Sequence, residues 1–69
     1  MKKKQPTLLD SLREATREYR RLNGISQRRL GELVGVSQPQ IGRFERGVGS
    51  LLGENLSRLE AELRKAGYL

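Results

Sequence analysis

The side chains able to do chemistry in this chain are almost all charged: 14 Lys and Arg stand beside 8 Asp and Glu, with no His and no Cys. Those two absences together remove imidazole bases, thiol nucleophiles, disulfides and the usual zinc ligands. Carboxylates could still form an acid–base pair, but Asp10, Glu14, Glu18, Glu32 and Glu45 are scattered among arginines and suggest no paired-carboxylate cleft. Catalysis is therefore the least favoured class, and neither a cofactor nor a metal is expected. The positive charge is unevenly placed. Up to Gly47, Lys2, Lys3, Lys4, Arg13, Arg17, Arg20, Arg21, Arg28, Arg29, Arg43 and Arg46 outweigh those five acids by +6. Beyond it, Arg58, Arg64 and Lys65 meet Glu54, Glu60 and Glu62 in balance. Basic charge gathered in one part of a small domain suits a polyanion, because phosphate contacts release condensed counterions. The plainer alternative is a basic surface that only maintains solubility.

The elements that must position these groups are constrained by size. A chain of 69 residues is one domain, and it buries only about 60% of the surface its unfolded form exposes. Without disulfides or metal, well-packed helices or a partner subunit must supply the stability. No apolar run approaches the ~20 residues that span a bilayer. Lys2, Lys3 and Lys4 lead into Gln5-Pro6 and not into an apolar stretch, so no secretory signal is read and the expected location is cytoplasmic.

Residues 1–6 read as a basic, flexible arm and 7–69 as the domain. Thr7 is an N-cap candidate with Asp10 three residues on, and Leu8, Leu12, Ala15, Tyr19 and Leu22 follow one helical face to Asn23-Gly24. Ser26 offers the next cap, ahead of Leu30, Leu33 and Val34, with Gly35 as a stop. Ser37 and Gln40 form a Ser-x-x-Gln capping box for a third helix, with Pro39 in its first turn and Gly47 at its end. Val48-Gly49-Ser50 reads as a turn. Leu51, Leu52, Leu56, Leu59, Leu63 and Ala66 carry the last apolar stripe to Gly67. Gly53 costs about 1 kcal/mol inside a helix, so it is expected to divide a short helical turn from a helix starting near Asn55. The chain is predicted to be all-α, with four or five helices.

Two short helices joined by a four-residue turn containing glycine make a helix-turn-helix, here over residues 26–47. Gly31 gives the small residue where the helices cross, and Gly35 tolerates positive φ in the turn. Leu30, Val34, Val36, Ile41 and Phe44 supply the apolar seal, while Gln38, Gln40 and Arg43 project outward. The run from Ile25 to Gly47 resembles the phage-repressor/Cro-type helix-turn-helix family, also called the xenobiotic-response-element type. The likeness rests on Ser26-Gln27 opening the second helix, the Gly35-Val36-Ser37 turn, and Glu45-Arg46-Gly47 closing the third. It departs from the family pattern after Gly47, where Val48 to Gly53 lacks the proline-opened connection.

The resemblance implies a lambda-repressor-like fold that binds double-stranded DNA through the major groove, as a transcriptional regulator and most readily a repressor. It implies base reading by Gln38, whose amide matches adenine, by Arg43, whose fork matches guanine, and by Pro39 against a thymine methyl. Gln40 either reads a base or only completes the cap with Ser37. Gln27, Arg28, Ser37, Arg46 and Gly47 fall at implied phosphate contacts, and Gln27 is placed to brace Gln38. Arg43 could instead pair with Glu45 or with a phosphate. Of the adjacent Arg28 and Arg29, one is expected on the DNA backbone and the other in solvent. Arg13, Arg17, Arg20 and Arg21, interleaved with Glu14 and Glu18, read as a solvated, salt-bridged face.

A homodimer on a palindromic operator is expected, meeting through the charge-neutral C-terminal region at Leu51, Leu52, Tyr68 and Leu69, unless these residues only finish the monomer core. Repression by excluding polymerase is the expected mode, with activation through a surface patch bearing Glu45 left open. Other classes weighed are an antitoxin that binds DNA secondarily and a basic helix lying on membranes, which would leave Ser26–Gly47 unexplained.

Overall fold

Thr7 and Asp10 settle where the first helix starts. In the computed structural model, which describes residues 7–69, the Thr7 hydroxyl accepts from the Asp10 N–H and the Asp10 carboxylate accepts from the Thr7 N–H, each at 3.1 Å. This reciprocal cap opens α1 (Leu8–Asn23), followed by α2 (Gln27–Val34), α3 (Gln38–Arg46) and α4 (Gly53–Lys65). Ser26 caps α2 and Ser37 caps α3 through their hydroxyls. The protein is all-helical, with no strand among the described residues. The basic arm expected over residues 1–6 lies outside them.

Leu12 and Tyr19 of α1, Leu30 and Val34 of α2, Ile41 and Phe44 of α3, Leu51, and Leu59 and Leu63 of α4 form one buried cluster. The α1 stripe needs correction at both ends. Leu8 and Leu22 are 72% and 58% exposed, and Thr16 is buried in their stead. Heptad steps drift about 20° on a helix, which carries Leu22 off the arc centred on Leu12 and Thr16, while Leu8 is the first residue of α1. The Thr16 hydroxyl donates to the Leu12 carbonyl at 2.6 Å, so its burial leaves no polar group unmatched. Ala66, at the far end of the α4 stripe, is likewise exposed.

The turn of the helix-turn-helix has three residues, Gly35, Val36 and Ser37, and not four. Gly35 takes φ 83°, and both its N–H and that of Val36 donate to the Gly31 carbonyl, at 2.8 and 2.9 Å. Gly31 is small for a different reason from the one expected. A methyl there would lie 2.5 Å from the Val36 carbonyl oxygen, so it is the turn's own backbone, and not α3, that requires glycine. From α4, Asn55 donates to the carbonyls of Val34 and Gly35 at 3.0 and 3.3 Å, satisfying the end of α2.

Gly53 does not split the last element. It opens α4 with φ 56°, after an extended Leu52 that offers no capping atom. Leu51 is 2% exposed, whereas Leu52 is 77% exposed. Tyr68 packs edge-on against Tyr19, ring centres 5.5 Å apart, and accepts from Asn23 at 3.1 Å. Leu51 and Tyr68 therefore finish the monomer core, leaving Leu52 and Leu69 outside it.

Candidate nucleic-acid interface

The exposed edge of the helix-turn-helix is built from the first turns of α2 and α3. Gln38, Pro39, Gln40 and Arg43 are all exposed there, with Ser37 at the cap, and Arg46 and Gly47 at the far end of α3; Gln27 is half-buried. Thus α3 brings together all four residues singled out for base edges, each of them exposed while Ile41 and Phe44 are buried.

A polar chain runs from the core to this edge. Arg20 of α1 grips the Glu45 carboxylate with two N–H groups, at 2.6 and 2.8 Å. Gln27 donates to the same carboxylate at 3.0 Å, and Gln38 donates to the Gln27 carbonyl at 2.6 Å. The direction of every bond follows from the first. An ionised carboxylate only accepts, so Gln27 must turn its amide nitrogen inward and its carbonyl outward. Gln38 must then donate to Gln27. One N–H and the carbonyl of Gln38 remain for another partner.

The ionised state of Glu45 is itself secured. Burial would push its carboxyl up, but hydrogen bonds from Arg20 and Gln27, and the charges of Arg20 and Arg17, outweigh that and hold it below the ordinary value. The same bond with Glu45 raises the Arg20 guanidinium above its ordinary value, against the opposing effect of burial. Glu45 is only 5% exposed. It therefore cannot form part of an activating surface patch, and its partner is Arg20, not Arg43.

The basic face of α1 is solvated only in part: Arg17 and Arg21 are exposed, whereas Arg13 and Arg20 are half-buried. Arg13 donates to the Phe44 carbonyl at 2.8 Å and lies over the Phe44 ring, 5.5 Å from its centre. Arg17 donates to the Glu45 carbonyl. Together with Arg20 they bind the end of α3, where cations complement the helix dipole. Arg21, paired with Glu18 at 2.6 Å, behaves as the interleaved pattern suggests, and Arg13 also pairs along α1 with Asp10 at 3.1 Å. Residues 13, 17 and 20 share one helical face, which was a visible signal; that α3 ends against it was not.

The remaining site residues divide by how occupied they are. Gln40 accepts from the Ser37 N–H and hydroxyl at 3.0 and 3.1 Å, so its carbonyl is committed to the capping box. Arg28 and Arg29 both reach Glu32, at 3.8 and 3.2 Å, because i+4 and i+3 neighbours converge on one side chain. A methyl on Gly42 would lie 3.3 Å from both an Arg46 guanidinium nitrogen and the Gln27 carbonyl oxygen, so these two side chains lie across that glycine. For Arg43 and Arg46, no carboxylate is within ion-pair distance among the described residues.

A three-residue glycine turn, a capped second helix with its polar side exposed, and basic side chains beside it define a helix-turn-helix DNA-binding domain of transcriptional regulators. The chain belongs to the Cro/C1-type helix-turn-helix family, whose helix-turn-helix model matches residues 17–66. That is a DNA-binding regulatory family and not typically an enzymatic one. No curated protein and no solved structure matches the chain. Among the described residues, no helix is long and apolar enough to cross a membrane.

Proposed function

We propose that this domain binds double-stranded DNA sequence-specifically, laying the start of α3 in the major groove, and represses transcription as a dimer on a palindromic operator. The observation that carries this reading is the bracing of Gln38. With one N–H held by Gln27, its other N–H and its carbonyl form the donor–acceptor pair that matches N7 and the N6 amino group of adenine. Arg43 is the second base reader, its fork directed at O6 and N7 of guanine, and Pro39 meets a thymine methyl. Gln40 contributes to the base-facing edge through its amide nitrogen, since its carbonyl serves the cap. Arg46, Arg28 and the remaining N–H of Gln27 contact phosphates and fix the register, while Ser37 and Gly47 flank them with their own donors spent, on Gln40 and on the Phe44 carbonyl. A reader of this kind acts where the genome is accessible, which for the proposed repressor is the cytoplasm.

Dimerisation is supported by scale. One such module buries roughly 600–1,000 Å² on DNA, and pairs of modules reach useful specificity by binding half-sites about 10 bp apart. Leu52 and Leu69 stay exposed for a subunit contact, at 77% and 44%. Occupancy then represses by excluding polymerase. Selection of binding sites from random duplexes tests the proposal: the expected product is a two-fold symmetric motif with that spacing. A pool without sequence enrichment would end the sequence-specific reading. A 1:1 complex on a symmetric site in analytical ultracentrifugation would remove the dimer.

A further inference from the structure

Gly49 lies in the connection between α3 and α4, and its backbone does not explain why it is glycine, because it is not among the glycines with positive φ. Glycine in such a position carries an entropic cost, and space is the remaining reason for it. A methyl at 49 would lie 3.1 Å from Cβ of Arg43, 3.8 Å from its carbonyl carbon and 3.9 Å from its Nε. Helix backbone fixes the Arg43 Cβ, so that atom cannot swing aside. The Val48 N–H donates to the Arg43 carbonyl at 3.0 Å, which pins the connection against this turn of α3. A methyl at 49 must therefore shift the connection from α3 by a few tenths of an ångström, and with it the space beside the arginine.

Among the described residues, no hydrogen bond or ion pair holds the Arg43 guanidinium, in contrast to Arg13 and Arg20. We propose that Gly49 is a positioning residue for Arg43. Its missing side chain leaves a notch along which the arginine stem lies, and that notch sets the direction in which the guanidinium leaves α3 and the base pair it meets. This rests on the reading of Arg43 as a base reader. Gly49 is thereby a specificity-determining position that touches no base itself.

The test is a double-mutant cycle read by base preference. Binding of the wild type, Gly49→Ala, Arg43→Ala and the double variant is measured on the selected duplex and on single-base-pair variants of it. Arg43→Ala should cost about 5- to 150-fold in preference at one base pair, the range of a bidentate contact. Gly49→Ala should lose part of the same preference, about 3- to 10-fold, leave the preference at the Gln38 position intact, and add nothing in the Arg43→Ala background. A loss spread evenly over all positions, or one that persists without Arg43, overturns the proposal. If Arg43→Ala alters no base preference, the base-reading assignment fails separately. Positioning is then judged by affinity alone, and additive losses overturn it. Should Gly49→Ala not fold, ¹⁵N relaxation of the wild type still decides: Arg43 Nε should be more ordered than Nε of the exposed Arg64, and equal mobility refutes the notch.

Discussion

The two ends of α3 are held by opposite means. At its C-terminal end, Arg13 and Arg17 take the carbonyls of Phe44 and Glu45, and Arg20 grips the buried Glu45 carboxylate. At its N-terminal end, Ser37 and Gln40 close a cap on each other, and Gln38 reaches only to Gln27. One end is clamped by desolvated charge from another helix, while the other satisfies its own backbone and leaves its side chains outside. A helix that must offer polar groups to a groove cannot bury them for stability, so its anchorage has to come from the end that stays behind. Gln27 links the two regimes, with one bond to the clamp and one to the reading end.

The clamp should carry the larger effect. Removing one partner of a fully buried ion pair costs about 3–5 kcal/mol because the other charge is left desolvated; Arg20 keeps 22% of its side chain exposed and a bond to the Ile25 carbonyl, which places Glu45→Ala at the lower end. A domain of this size has about 3–10 kcal/mol in total. Glu45→Ala should therefore unfold much of the population at room temperature, or lower its urea midpoint sharply. A loss under about 1 kcal/mol would mean that the two ends of α3 are not held differently after all. Acid should act at the same place. Because the folded state holds Glu45 below its ordinary pKa, its contribution is complete above that ordinary value and is lost as the pH falls through the folded one. Urea midpoints should drop on that acid limb, and Glu45→Gln should flatten the drop while lowering the plateau.

At the reading end the expected changes are smaller and concern binding. Gln38→Ala should cost about 1–3 kcal/mol and relax preference at one position of each half-site. Arg46→Ala should weaken binding to all duplexes alike and reduce the salt slope by about one. Salt titrations on matched and mismatched duplexes separate the two. A uniform loss from Gln38→Ala would show that its amide reads no base.

Much of this architecture is legible in the residues alone, and what is not has a common cause. Caps and glycine stops are local, so Thr7 with Asp10, Ser37 with Gln40, and Gly24, Gly35 and Gly47 mark helix ends from sequence spacing. The outward placement of Arg43 follows from its offset to Ile41 and Phe44 along one helix. The pairing of Arg20 with Glu45, 25 residues apart, has no such local mark. Arg20 has no acid three or four residues away on its own helix, and only the tertiary fold presents it with a buried carboxylate. Thr16 shows the same limit in the core, since a threonine whose hydroxyl bonds back to the preceding turn can be buried as readily as a leucine. Leu52 is the reverse case: an apolar residue in the stripe that the entry into α4 turns outward.

Two capping boxes of the same chemistry allow the finest comparison. Thr7 caps α1, and Ser37 caps α3 at the reading end. Replacing an N-cap hydroxyl residue by alanine costs about 1 kcal/mol, so Thr7→Ala and Ser37→Ala should lower the thermal midpoint by similar amounts. Their effects on DNA should diverge. Thr7→Ala removes a bond from the start of α1 and should leave affinity and base preference as they were. Ser37→Ala removes the hydroxyl's bonds to the Gln40 carbonyl and from the Gln40 N–H, keeping only the backbone bond to that carbonyl, and so loosens the turn of α3 that carries Gln38. Affinity should fall severalfold on the selected duplex, with a smaller loss on mismatched ones. If instead both variants bind as the wild type does, the cap at Ser37 serves stability alone, and preorganisation of the reading end has to be assigned to the Gln27–Gln38 bond.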